Sequence, residues 1–391
     1  MRDTRTIATI GAAHFVSHFF ILVLPPLFAF VREDYGVTYT VLGLALIAFN
    51  AASAILQTPA GFLVDRIGAR MLLVVALLLG SLAFVVAGLT DSFWLLVAMF
   101  AVAGVANAIY HPADYALLSQ DVAGERVAGA YAFHTFAGML GSAVAPVTML
   151  LMQSHWGWRG AFLGAAVPGV AVALLLLARP PGPIRQRNVA APATNDAAPA
   201  GWRLLLSPPV MLNFATFTLL ALGMSGLQNY SVVASGALYG TTPVAANTAL
   251  TGYLGFTAVG VLVGGLLAAR IERHAAFTAG GLFAVAAGAG LIVSGDHGPV
   301  WLIVIMGAIG LASGMIMPAR DLLVRQVTPP GAFGAVFGFV TTGFNLAGMI
   351  APLVFGLALD YGRPALVYLL VAAFSLLAVS AVAAQQARPA S

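Results

Sequence analysis

The stretch GFLVDRIGAR, residues 61–70, lies between two long apolar segments and combines charged residues with glycine. Gly61 and Gly68 permit close approach or unusual backbone angles. Asp65 can accept hydrogen bonds from backbone or arginine donors, and arginines are typical of the edge where a membrane helix meets the cytoplasm. The stretch therefore predicts a tight cytoplasmic turn between two membrane spans.

The composition excludes most soluble folds. The 391-residue chain is 61% hydrophobic and 8% charged, whereas soluble proteins carry about 25% charged residues. All seventeen basic residues are arginines and nearly all are scattered among loops, so the net charge of +4 does not predict a nucleic-acid partner. The sequence has no cysteine, which excludes disulfides and thiolate metal sites.

Twelve apolar segments are long enough to cross a bilayer, which takes about 20 residues. The first, which contains His14 and His18, is predicted to be a retained span rather than a signal peptide. Six segments form a predicted N-terminal bundle within 1–178: 7–31, 39–64, 71–89, 93–119, 127–152 and 158–178. Six more form a C-terminal bundle within 207–391: 208–236, 244–269, 276–294, 299–324, 332–358 and 363–385. The proline-rich residues 179–206 are predicted to be a flexible linker.

The arginines also predict the orientation. If the N-terminus is cytoplasmic, thirteen arginines fall on the cytoplasmic side and only Arg32, Arg159 and Arg363 on the other. Short loops rich in arginine stay on the cytoplasmic side. We therefore expect a multi-pass protein of the bacterial inner membrane with both termini and the linker in the cytoplasm.

The two halves of the sequence repeat each other. GLLAAR at 265–270 is a degenerate copy of the stretch at 61–70, displaced by 204 positions (265 − 61). Pro112 recurs as Pro318 (318 − 112 = 206), and the Ala-Pro pair at 145–146 recurs at 351–352 (351 − 145 = 206). A displacement of 204 to 206 positions at three places predicts parallel six-span repeats.

The stretch at 61–70 and this repeat resemble the major facilitator superfamily, whose signature loop joins spans two and three. The resemblance implies an all-α membrane protein with twelve transmembrane helices in two pseudo-symmetric six-helix bundles. It further implies that Asp65 faces the N-terminal end of span eleven and, with Arg70 and Asp121, holds the outward-open state. The residues with this expected role in the conformational gate and motif are Gly61, Asp65, Arg66, Gly68, Arg70 and Asp121.

Other residues indicate which subgroup of the superfamily the chain resembles. His111-Pro112 and the histidines of span one resemble fosmidomycin-resistance-type exporters. Phe100 and Ala145 stand where drug/proton antiporters of the superfamily carry an arginine and a glycine. The resemblance therefore does not carry over the usual proton-antiport mechanism.

Ionisable residues inside membrane spans are costly, so each is a candidate functional residue. His14 and His18 lie on one face of span one because they are four residues apart. Spans one and four line the central cavity in the major facilitator fold, so we expect three of the four histidines His14, His18, His111 and His134 to meet there. They would bind substrate or couple transport to protons, since the pKa of imidazole is near 6.5. The alternative is that each bonds a neighbouring helix.

The second half offers a separate set of polar candidates for substrate binding. These are Gln228, Asn229 and Tyr230 in span seven, Arg320 in span ten and Asn345 in span eleven. Glycines in span seven allow it to bend or break near the polar triplet. Interhelical hydrogen bonding is the alternative role for the amides and the phenol.

A cofactor and a metal site are not expected from the sequence. A tight zinc site needs three or four ligands, and no carboxylate lies at helical spacing from His14 and His18. Metal transport remains a minor alternative.

Asp114 and Arg320 occupy equivalent positions in the repeat, two residues after Pro112 and Pro318. In the major facilitator fold, spans four and ten approach each other at the cytoplasmic mouth when it is shut. The sequence thus predicts a gating ion pair between the two halves. Two alternatives stay open: Arg320 anchors a substrate anion, or Asp321 neutralises it locally, although neighbours on a helix point apart.

These features predict a secondary active transporter that exports a small organic solute by alternating access. The predicted solutes include anions. One alternative is a proton-coupled uptake symporter for a carboxylate-like anion; another is a non-transporting membrane receptor. An enzyme is not expected, because the sequence shows neither a phosphate-cradling loop nor a carboxylate dyad. The expected partners are a small-molecule substrate, the lipid bilayer and protons as a candidate coupling ion, and the expected state is a monomer.

Overall fold

A computed structural model describes residues 2–178, 202–268, 270–329 and 332–386. They form two compact units, one before and one after residues 179–201. All the secondary structure in these residues is helical. Most of the predicted linker at 179–206 lies outside the described residues, so the linker and the domain boundaries stay predictions.

The first unit contains six helices and one short 3₁₀ turn. The turn, Pro25–Leu27, interrupts the first predicted span, because prolines lack the amide hydrogen that continues a helix. The helices are α1 Arg2–Ile21, α2 Phe28–Tyr35, α3 Tyr39–Ile67, α4 Ala69–Leu89, α5 Phe93–Asp121 and α6 Gly124–Leu177.

Helix α6 contains two membrane spans. It has 54 residues, or about 80 Å of helix, while the hydrocarbon core of a bilayer is about 30 Å thick. Gly157 breaks the helical path with φ 68° and ψ 173°, a conformation that glycine adopts at little cost. The chain thus turns at Gly157, and the predicted spans five and six lie on either side of it.

The second unit contains one short helix and six long ones. They are α7 Trp202–Leu205, α8 Pro208–Tyr239, α9 Pro243–Ala268, α10 His274–Val293, α11 Gly298–Gln326, α12 Phe333–Asp360 and α13 Ala365–Gln386. Helix α8, span seven, continues through Gly226 without the break that the sequence allowed. Gly226 serves close packing instead: a Cβ there would lie 2.5 Å from the ring of Phe355.

Eleven helical segments among the described residues are long and apolar enough to cross a membrane. Because α6 supplies two of the spans, the twelve predicted spans are all accounted for. Large apolar side chains such as Ile55 and Leu266, each 72% exposed, cover the outer faces. The protein is therefore an all-α membrane protein with twelve transmembrane helices.

Glycine contacts repeat between the two units at the spacing seen in the sequence. A Cβ on Gly104 of α5 would lie 2.2 Å from the carbonyl oxygen of Phe49 in α3. A Cβ on Gly310 of α11 would lie 2.1 Å from the carbonyl oxygen of Tyr253 in α9. The glycines are 206 positions apart (310 − 104) and their partners 204 (253 − 49). Small residues let membrane helices approach closely, so each unit packs its second and fourth spans in the same way.

Candidate functional site

Three helices of the first unit bring the four intramembrane histidines and one aspartate together. Helix α1 carries His14 and His18, α5 carries His111 and Asp114, and α6 carries His134. His14, Asp114 and His134 are buried, His18 is half-buried and His111 is exposed. We call these five residues the histidine cluster.

The carboxylate of Asp114 is the centre of the histidine cluster. Its Oδ2 lies 3.1 Å from Nε2 of His134 and 3.3 Å from Nδ1 of His14. The rings of His14 and His134 stack with centroids 3.6 Å apart and planes 19° apart. Asp114 therefore ties α5 to both α1 and α6, and a buried carboxylate needs such partners because an unpaired buried charge is costly.

The exposed side of the cluster contains His18 and His111. The ring of His14 lies 4.6 Å from the ring of His18 and 5.0 Å from that of His111. His18 Nδ1 lies 3.2 Å from the hydroxyl oxygen of Ser142 on α6. The cluster thus extends from a buried contact between a carboxylate and two imidazoles to an accessible imidazole.

Gly138 makes room for two of these rings. A Cβ at this position would lie 2.6 Å from Cδ2 of His14 and 2.9 Å from Cδ2 of His18. His134, Gly138 and Ser142 follow one another at intervals of four residues, so they lie on one face of α6. A side chain at Gly138 would displace both histidines of α1.

Two groups of donor atoms in the cluster have the spacing of a metal site. The ligand atoms of His14, His18 and His111 all lie within 4.8 Å of one another, and so do those of His14, Asp114 and His134. Oδ1 of Asp114 and Nδ1 of His134 are buried and have no hydrogen-bond partner in the described part of the chain. The carboxylate that the sequence did not offer beside His14 and His18 therefore comes from another helix.

The sequence identified the histidines and Asp114 but not three of their neighbours. Ser142 and Gly138 were missed as members of the site, although their spacing from His134 signals a shared face. Tyr115, whose ring lies 5.2 Å from that of His134, was also missed. Its position four residues after His111 indicates that the two side chains share a face of α5.

Arg320 in the second unit is the one buried arginine among the described residues. Its Nε and Nη2 donate to Oδ1 of Asp321 at 3.0 and 2.8 Å. Its guanidinium carbon lies 3.9 Å from the ring centroid of Phe217 and 5.4 Å from that of Phe344. Its Nη1 is buried and makes no hydrogen bond to a described residue.

These contacts bear on the predicted gate between the halves. Arg320 pairs with Asp321, and Asp114 pairs with His14 and His134, so each member of the predicted gate has a partner in its own unit. The local pair was one of the alternatives left open by the sequence. A pair between Asp114 and Arg320 stays a prediction.

The other polar candidates of the second unit are dispersed. Asn229 donates to the hydroxyl oxygen of Ser225 at 2.8 Å within α8. Tyr230 is buried and stacks on Phe355 with ring centroids 5.7 Å apart. Gln228 and Asn345 are half-buried. A substrate role for these four residues stays a prediction.

The signature stretch forms the connection from α3 to α4. Gly68 has φ 103°, which an L-residue rarely adopts, so a glycine is required there. Arg66 is exposed, and Arg70 donates from Nε and Nη2 to the carbonyl oxygen of Leu176.

The remaining motif residues are Gly61, Asp121 and Asp65. Gly61 lies inside α3 with open space around its Cα, and Asp121 is the half-buried last residue of α5. The side chain of Asp65 lies outside the described residues. Its contacts with span eleven, Arg70 and Asp121 therefore stay a prediction.

Comparisons with known proteins agree over almost the whole chain. The family model described as Major Facilitator Superfamily matches residues 10–241 and 228–390. The probable sulfoacetate transporter of Cupriavidus necator is 27% identical, over 84% of this chain and 81% of its own. The D-galactonate transporter of Escherichia coli O6:H1 is 23% identical, over 87% and 86%. The fosmidomycin resistance protein of Escherichia coli K12 is 22% identical, over 95% and 90%.

A solved structure shares the fold. The crystal structure of the nucleoside transporter NupG superposes with a TM-score of 0.81, covering 98% of this chain and 99% of that one. The sequences are 12% identical, so this likeness concerns the fold alone.

Proposed function

The chain belongs to the major facilitator superfamily, and from this premise we propose that it transports a small organic anion across the membrane by alternating access. It is a membrane transporter and not an enzyme, as its family and its named relatives indicate. Two of those relatives are named for organic acids, sulfoacetate and D-galactonate. Both compounds carry negative charge at neutral pH.

The observation that carries the proposal is the guanidinium of Arg320. An arginine inside a membrane span is costly and marks a functional site by default. Asp321 occupies two of its nitrogens, while Nη1 is buried and makes no hydrogen bond to a described residue. Carboxylates and sulfonates match this donor geometry, because arginine presents planar pairs of N–H groups.

Asp321 then acts as the resident counterion of Arg320. Its side chain is 42% exposed, so it can exchange Arg320 for water while a substrate anion takes its place. Phe217 and Phe344 hold the guanidinium plane through cation–π contacts. The net charge at the site stays balanced in both states, which limits the cost of keeping a buried arginine.

The test is transport into proteoliposomes that contain the purified protein. We expect uptake of sulfoacetate or D-galactonate, and no uptake of neutral galactose. Arg320→Gln should lower the initial rate at least tenfold, and Arg320→Lys should restore only part of it because lysine is not bidentate. Arg325→Gln is the matched control, since Arg325 is exposed on the same helix. Full transport of an anion by Arg320→Gln would contradict the proposal.

The same vesicles address direction and coupling. Export, expected from the sequence, predicts that transport runs from the face that is cytoplasmic in cells, which protein inserted in one orientation can show. Proton coupling predicts that an imposed pH gradient drives accumulation. A receptor would bind the anion without moving it, and that result would replace the transporter proposal.

A further inference from the structure

The histidine cluster takes no part in the anion site proposed at Arg320. The donor atoms of His14, His18 and His111 lie within 4.8 Å of one another. We propose that these three histidines bind a first-row divalent transition metal ion, with Zn²⁺ as the test case. Imidazole nitrogens are suitable ligands for zinc, nickel and copper.

The hydrogen bonds of the cluster determine which nitrogens are available to the ion. Nδ1 of His14 lies 3.3 Å from the carboxylate of Asp114, and Nδ1 of His18 lies 3.2 Å from the hydroxyl of Ser142. Each contact leaves Nε2 as the nitrogen that can bind a metal. Histidine ligands commonly donate their other nitrogen to a carboxylate or a similar acceptor, which fixes the ring and its tautomer. His14 and His18 therefore already have the outer contacts of metal ligands.

The distances allow an ion to be bound after small movements. Zinc lies about 2.0 to 2.1 Å from imidazole nitrogen, so ligands in a tetrahedral site are about 3.4 Å apart. One ring nitrogen from each of the three histidines lies within 4.8 Å of the others, and donor atoms with that spacing need to approach by about 1.4 Å or less. His111 is exposed, so its ring has room to move toward the two histidines of α1. Three histidine ligands leave a fourth position for water or another ligand.

The buried group of His14, Asp114 and His134 is a less suitable site. Its donor atoms already bond one another at 3.1 and 3.3 Å, and an ion would have to replace those bonds. All three side chains are buried, whereas His111 offers a path from the accessible surface. Asp114 still contributes, because its carboxylate near His14 offsets part of the charge of the ion.

The experiment measures binding on the full-length protein in detergent, with any polyhistidine tag removed. Isothermal titration with ZnCl₂ should show one saturable site per chain, and Co²⁺ should give the absorption bands of a tetrahedral site. His18→Gln and His111→Gln, which retain a polar side chain, should each weaken binding at least tenfold. His155→Gln is the control, because His155 is exposed on α6 and, among the described residues, forms its hydrogen bonds with Ser154 and Leu151.

Gel filtration and circular dichroism should show that each variant is folded, and His18→Asn and His111→Asn provide second variants. The proposal is overturned if no saturable site exists. It is also overturned if His18 and His111 variants retain wild-type affinity while His134→Gln loses it, because the ion would then occupy the buried group. Metal binding needs no transport, so this result is independent of the anion proposal.

Discussion

Asp114 and His134 lie 3.1 Å apart, although they belong to different helices and are twenty residues apart in sequence. The same carboxylate oxygen lies 3.3 Å from His14. One buried carboxylate thus fixes two of the four histidines, and its removal should affect the geometry of the whole cluster.

Asp114→Asn tests this effect on metal binding. The amide keeps the size of the side chain but removes the negative charge that orients His14, so Zn²⁺ affinity should fall about 10- to 100-fold. Titration calorimetry gives the affinity, and Asp121→Asn, at the end of the same helix, is the control. Unchanged affinity in Asp114→Asn would show that the carboxylate does not support the site.

Ser142→Ala tests the second outer contact of the proposed metal site. Loss of the hydroxyl frees Nδ1 of His18, and we expect Zn²⁺ affinity to fall by about tenfold. Ser154→Ala is a matched control, since it removes the hydroxyl of another serine–histidine contact, with His155, on the same helix. Equal effects of the two substitutions would count against a specific role for Ser142.

Gly138→Ala tests the packing of the rings. The new methyl group would lie 2.6 Å from His14 and 2.9 Å from His18, and such overpacking costs about 1 to 3 kcal/mol. Gly129→Ala, with open space around it on the same helix, should be neutral or stabilising by up to about 1 kcal/mol. Thermal unfolding in detergent compares the two variants. A Gly138→Ala protein as stable as Gly129→Ala would mean that the rings can move aside freely.

The sequence predicted the fold better than the site, for a physical reason. Span length, the proline positions and the displacement of about 205 residues can be read directly from the order of the residues, and they were enough to predict the twelve helices. The register between helices is set by packing, such as the contact of Gly104 with Phe49, and sequence spacing does not contain it. The sequence therefore predicted that His14 and His18 share one face of α1, but it could not predict the contact of Asp114 with His134.

The pairing of Arg320 shows a second limit of predicting contacts from the sequence. Adjacent residues on a helix point apart, which favoured a partner on another helix in the sequence argument. The arginine side chain is long enough to bend back, and its Nε and Nη2 both reach Oδ1 of Asp321. The length and flexibility of the arginine side chain thus outweighed the direction of its Cα–Cβ bond.

A charge exchange distinguishes the predicted gate between the halves from the local pairs. Asp114→Arg should abolish transport, because it places a cation beside His14 and His134. Arg320→Asp should also abolish it, because it places a second carboxylate next to Asp321 and removes the contact with Phe217. If the local pairs are the important ones, the double variant should stay below about a tenth of the wild-type rate, like each single variant.

The control exchange is Arg320→Asp with Asp321→Arg, which keeps the local charges and reverses their order. We expect it to fold with an unfolding temperature close to that of the wild type but to lose anion transport, because the guanidinium leaves the ring of Phe217. Proteoliposome transport and thermal unfolding measure the two effects separately. Partial recovery of transport in the Asp114→Arg, Arg320→Asp double variant would instead support the gate between the halves, because the two charges then compensate each other directly.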